Sequence, residues 1–152
     1  MTTAAPSGEF LHIVVGYDGS PPASRALDAA VRLLRGRAGR IVVVWVAHLS
    51  STVMLSPGAV AEMEESFDEL APEMRDQAAG ELGGSGLDWG FERRQGLIAD
   101  ELIAVAAGLR DARPGQTVVI VVGSSSHATH RVVGSVTVSL ARHSPVPVVI
   151  VP

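Results

Sequence analysis

The segment FLHIVVGY at residues 10–17, followed by Asp18-Gly19-Ser20-Pro21-Pro22, decides how this chain folds. It is short, apolar and rich in β-branched side chains, as a strand buried on both faces should be. The break after it joins turn formers to a helix start, with Ser20 as N-cap and proline at the first helical position. Ala23 to Leu34 then places Ala26, Leu27, Ala30, Val31 and Leu34 on one face at helical spacing. Gly36 and Gly39 end that helix, and Ile41 to Ala47 (IVVVWVA) forms a second apolar strand. A strand, a helix and a second buried strand make a βαβ unit.

The same alternation continues to the end of the chain. His48 to Gly58 reads as a surface loop. An acidic helix is expected from about Ala59 to Ala79, with Met63, Phe67, Leu70 and Met74 as its apolar stripe, and Pro72 should kink or shorten it. Gly80 to Gly86 reads as a turn, and Leu87 to Arg94 (LDWGFERR) as a half-exposed edge strand. A helix at about Ala99 to Leu109, opened by Asp100 and Glu101, precedes the apolar strand Thr117 to Val122. The loop Gly123 to Val133 leads into a helix beginning near Gly134-Ser135, and Val146 to Val151 is the last strand. The order β-α-β-α-β-α-β-α-β implies one α/β domain, a doubly wound parallel sheet of five strands with helices on both faces. Residues 1–9 are expected to be a flexible N-terminus and residues 10–152 the domain.

Composition narrows the chemistry. The 152 residues contain no cysteine, which excludes disulfides and thiolate chemistry. All 12 basic residues are arginine, so Schiff-base chemistry and lysine-based phosphate loops are excluded too. A net charge of −4 argues against a nucleic-acid surface. No apolar run approaches the roughly 18 residues of a membrane span. Met1 to Gly8 lacks the charged and apolar blocks of a signal peptide. A cytoplasmic protein with no membrane partner is the resulting expectation.

Ligands of open parallel sheets bind beyond the carboxyl ends of the strands. There the sequence places Asp18-Gly19-Ser20 after the first strand, Val46-Ala47-His48 after the second, and Gly123-Ser124-Ser125-Ser126-His127 after the fourth. Gly134-Ser135 opens the following helix. Glycine lets a backbone approach phosphate, a helix N-terminus offers free N–H groups, and an acid can accept from ribose. These parts suffice for a nucleotide site, but glycine, serine and Asp-Gly after a strand are also ordinary turn residues. Ser135 has a plain reading as an N-cap, and His127 and His130 as solvated loop residues. His12 reads as a satisfied strand residue, Trp45 as core, and Arg93-Arg94 as edge protection. No metal site is expected from His127, His130 and His143.

Two stretches carry a family resemblance. Val14-Val15-Gly16-Tyr17-Asp18-Gly19-Ser20, with an alanine-rich helix behind it, resembles the opening of universal stress proteins. Gly123-Ser124, then Gly134-Ser135-Val136, then the strand from Pro145 to Val151 resembles that family's C-terminal signature. The resemblance runs from about Phe10 to Pro152. It implies strand order 3-2-1-4-5, an adenine-nucleotide alpha-hydrolase-like fold, and a stress-response role. It further implies an ATP site, with Mg2+ as a possible companion, and a homodimer through the last strand. Mapped onto this chain, the cofactor-binding residues are Gly16, Asp18, Ser20, Val46, Gly123, Ser124, Ser126, Gly134, Ser135 and Val136. Asp18 is expected on the ribose side, in a desolvated setting, and Val46 against adenine.

The family's ATP pattern is glycine, two residues, glycine, nine residues, then glycine with serine or threonine. Here Ser126 stands at the second glycine and seven residues separate it from Gly134, two fewer than the pattern. This departure counts against ATP, but a tighter loop can absorb the deletion and the Gly134-Ser135 helix start survives. The leading expectation therefore stays an ATP-binding regulatory module with slow hydrolysis at most and an unnamed regulatory protein as partner. The alternative is a family member that binds no nucleotide and acts through protein contacts. A ligase-type enzyme of the same fold group would carry Ser-Gly-Gly-x-Asp-Ser after the first strand, which Gly16-Tyr17-Asp18-Gly19-Ser20 lacks. A phosphoacceptor receiver domain needs a late lysine, and none exists.

Overall fold

The computed structural model describes residues 9–48, 56–124 and 134–152. Nine elements follow one another: β1 (Leu11–Gly16), α1 (Pro21–Leu34), β2 (Gly39–Ala47), α2 (Pro57–Leu82), β3 (Trp89–Gln95), α3 (Ile98–Ala112), β4 (Thr117–Gly123), α4 (Ser135–His143) and β5 (Val148–Val151). The strands form one parallel sheet in the order β3-β2-β1-β4-β5. Crossovers between parallel strands are right-handed. The chain travels outward through β1, β2 and β3, then returns to the far side of β1 for β4 and β5. That reversal puts α1 and α2 on one face and α3 and α4 on the other.

Each face has its own core. Ile13, Val15, Leu27, Leu34, Ile41 and Val43 pack with α1 and the end of α2. Val14, Val42, Val44, Leu102, Ile120 and Leu140 pack with α3 and α4. Adjacent strand residues thus go to opposite cores, which is why β1, β2 and β4 are apolar throughout. Complete burial of side chains this size stabilises the fold by about 1.5–3 kcal/mol each.

Several element boundaries differ from expectation. β2 starts at Gly39 instead of ending the preceding turn there, because a Cβ at Gly39 would collide with the Leu11 carbonyl and Leu34 Cδ1. The glycine lets β2 begin directly beside β1 and beneath α1. α2 is continuous through Pro72 and Gly80 to Leu82. Pro72 and Asp68 are both exposed, so the carbonyl that the proline leaves without a donor is open to water. The stripe of α2 also shifts. Met63, Phe67 and Met74 are half-buried, Leu70 is exposed, and Ala78 and Leu82 make the buried contact. α3 opens at Ile98 with Leu97 as its N-cap, ahead of Asp100 and Glu101.

Edge strand β3 carries its charges in opposite directions. Arg93 pairs with Asp68 of α2, and Arg94 with Glu101 of α3. Trp45 is buried on β2, edge-on to Phe67. His12 is only half satisfied: Nε2 bonds to Gln116 Oε1 at 2.6 Å, while Nδ1 is buried with no partner among the described residues.

Candidate functional site

The strand order reverses between β1 and β4, and a cleft of about 270 Å³ opens at their carboxyl ends. Its size is near the lower end of the roughly 300–1,000 Å³ typical of small-molecule sites. The cleft brings together Gly16, Asp18, Ser20, Val46, Gly123, Gly134, Ser135 and Val136. Ser124 does not line it; its amide donates to the Val151 carbonyl at 2.8 Å and joins β4 to β5. Ser126, His127 and His130 lie outside the described residues.

Each wall has a local cause. Gly16 ends β1 where a Cβ would press within 3.1 Å of Leu102 Cδ1 and 3.2 Å of Val122 Cγ1. A Cβ at Gly123 would collide with the Pro22 carbonyl, so that glycine allows the first turn of α1 to sit against the end of β4. Asp18 Oδ1 accepts from the Ser20 amide at 3.0 Å, and Ser20 Oγ accepts from the Ala23 amide at 3.4 Å, capping α1. Gly134 is the N-cap of α4, so Ser135 is the first helical residue and not a cap. Among the described residues no side chain caps α4. Its first-turn amides therefore make a positive helix end at the cleft, suited to an anion.

One expectation about these residues changes, and one cleft residue was not expected. Asp18 is exposed at the rim, not desolvated, and one carboxylate oxygen already serves the turn. Thr137, which the sequence did not single out, lines the cleft and is buried on the same helix face as Leu140. The apolar walls from Ile98, Leu102, Val44 and Val122 were likewise missed. The i, i+4 spacing of Ile98 and Leu102 marks a core-facing stripe, but nothing in the spacing says that its end borders a cleft.

Tyr17 also borders the cleft while remaining buried. Its hydroxyl donates to Glu81 Oε1 at 2.7 Å. Burial above all, then the bond to Glu81 and that carboxylate's charge, push the phenol well above its ordinary range. The folded state holds this proton more tightly than the unfolded chain, whose tyrosine titrates near 10. The associated stability is complete below about pH 10 and should fall above it, by up to about 1.4 kcal/mol per pH unit. The chain has one tyrosine and neither lysine nor cysteine, so no other side chain shares that window. Urea midpoints measured across alkaline pH should fall steeply for the unmodified protein and less steeply for Tyr17→Phe. Parallel declines would remove Tyr17 as the cause.

Fold and cleft together define a doubly wound α/β protein with a ligand-sized site at its topological switch point. The universal stress protein family model matches residues 9–152, and the chain belongs to that family. Comparison with curated proteins finds no match. Among solved structures, the universal stress protein UspA from Lactobacillus plantarum is 22% identical, with TM-score 0.74, over 95% of this chain and 99% of that one. A universal stress protein in complex with cAMP is 22% identical, with TM-score 0.63, over 93% and 97% of the two chains. A family protein from Arabidopsis thaliana with AMP bound is 15% identical, with TM-score 0.58, over 93% and 90%.

Proposed function

We propose that this universal stress protein is a regulatory module that binds an adenine nucleotide in the β1–β4 cleft, with ATP as the ligand that the family resemblance implies. The observation that carries this reading is the convergence on one cleft of an α4 N-terminus without a side-chain cap among the described residues, the Asp18 carboxylate and apolar walls. The helix end and the Ser135 hydroxyl suit phosphate, Asp18 suits ribose hydroxyls, and Val46 suits the base. Two solved relatives carry cAMP and AMP. The role is binding, with hydrolysis slow at most. Among the described residues no group of side chains suits a metal, so any Mg2+ would arrive with the nucleotide.

Calorimetric titration with Mg-ATP and with AMP tests this, alongside chromatography of nucleotide released by denaturing the purified protein. No heat at high micromolar nucleotide and no released adenine compound would overturn it. The competing reading, a family member working through protein contacts alone, is favoured by Ser126 and by the spacing of only seven residues before Gly134. Because Asp18 is exposed and shares its carboxylate with the turn, Asp18→Ala should weaken binding by about 1 kcal/mol, roughly fivefold. Equal affinity would restrict Asp18 to the turn.

The proposal extends to assembly and location. β5 lies at the edge of the sheet and carries no charge. An uncovered apolar edge invites pairing, and an isologous dimer with a second copy is the common solution. Val148 is packed into the α3–α4 core, whereas Ile150 is 41% exposed. A lysine at Val148 would therefore disturb the fold, and Ile150→Lys is the cleaner test. Light scattering should give twice the 15.8 kDa of one chain, and Ile150→Lys should halve that value. A monomer for the unmodified chain would sink the dimer. No described helix is long and apolar enough to cross a membrane; we place the module in the cytoplasm, where a regulatory protein partner would read its nucleotide state.

A further inference from the structure

The turn that carries Asp18 is held from outside its own βα unit. Gly19 adopts φ +77°, a left-handed conformation, and its carbonyl accepts from Gln77 Nε2 at 3.2 Å. A Cβ at Gly19 would lie 2.9 Å from Gln77 Oε1, so the glutamine covers the open face of the turn. Glu81 grips both flanks. Its Oε1 accepts from the Tyr17 hydroxyl at 2.7 Å, just before the turn, and from Ser24 Oγ at 2.8 Å, just after it. Between Gln77 and Glu81 lies Ala78, which with Leu82 gives α2 its only buried residues. The last two turns of α2 are therefore docked against the turn, while the preceding stretch stands half-buried or exposed.

We propose that Gln77 and Glu81, one helical turn apart on α2, are positioning residues that hold the Asp18-Gly19-Ser20 turn in the conformation presented to the nucleotide. The inference rests on the nucleotide reading of the cleft. Neither residue lines the cleft, so both act through the turn. The raised Tyr17 phenol stays protonated at neutral and mildly alkaline pH, and its donation to Glu81 persists there. An Asx turn fixes Asp18 relative to Ser20 only. The two α2 side chains fix the turn as a whole relative to the sheet, and they make the seating of α2 a determinant of affinity.

Two measurements test this and separate it from the reading beneath it. The first needs no nucleotide: amide hydrogen exchange at Gly19 and Ser20 should quicken about fivefold in Gln77→Ala and in Glu81→Ala, with β4 core amides unchanged. Glu81→Gln, which keeps an acceptor oxygen, should restore the slow rate. Unchanged exchange at the turn would overturn the positioning role whatever the nucleotide does. The second is calorimetry with AMP. Gln77→Ala should weaken binding about threefold to fivefold in the unmodified protein and have no effect when Asp18 is already alanine. Equal losses in both backgrounds would mean general destabilisation and would overturn the proposal. Quickened exchange in a protein that binds no nucleotide would uphold the anchoring of the turn while removing the nucleotide reading.

Discussion

Gly123→Ala should destabilise the protein by about 2–3 kcal/mol, lowering its melting temperature by roughly 5–10 °C. The added Cβ meets the carbonyl of Pro22, which is backbone in the first turn of α1 and cannot rotate aside. Relief requires the start of α1 to move away from the end of β4, and with it Ser20 and the rim of the cleft. The family pattern reads this glycine as the first of the phosphate residues; the packing gives it a structural role whether or not phosphate binds. Thermal denaturation followed by circular dichroism decides the point. A variant with an unchanged melting temperature and weakened nucleotide binding would return the glycine to phosphate contact alone.

Gly134→Phe should do the reverse. Gly134 has φ −61° and ψ 155°, a conformation open to any residue, and it forms the N-cap of α4 without a side-chain hydrogen bond to lose. The backbone there accepts a large side chain, and because Gly134 lines the cleft beside Ser135 and Val136 such a side chain is expected to obstruct it. Nucleotide affinity should fall by at least about a hundredfold, equivalent to about 2.7 kcal/mol, while the circular dichroism spectrum and melting temperature stay close to those of the unmodified protein. Undiminished affinity would remove the phosphate end of the site from α4. On these outcomes the two glycines of one motif would separate by mechanism: one would make room for a helix, the other for a ligand.

The amino-acid sequence by itself determined the alternation of elements. Continuous runs such as Ile13 to Val15 and Val118 to Val122 need burial on both faces, and amphipathic helices between them supply the cover. The Ser20 cap, the edge character of β3 and the start of α4 were legible because each depends on residues adjacent in the chain. The strand order was legible only through family resemblance, since short-range pattern does not say on which side of β1 the fourth strand lies. Most of the polar cleft residues were identified in advance because they sit at strand ends and a helix start.

The tertiary structure decided what those positions do. Whether Asp18 is desolvated depends on what packs over the turn, and among the described residues nothing does so fully. Pro72 was expected to disturb α2, yet water can serve the carbonyl it frees on an exposed face. Gln77 and Glu81 lie more than fifty positions beyond the residues they hold, and Thr137 enters the cleft only because α4 packs against α3. Local pattern reports the preferences of a segment for helix, strand or turn. Contacts across the sheet depend on how the crossovers bring distant segments together, and that information resides in the packed structure alone.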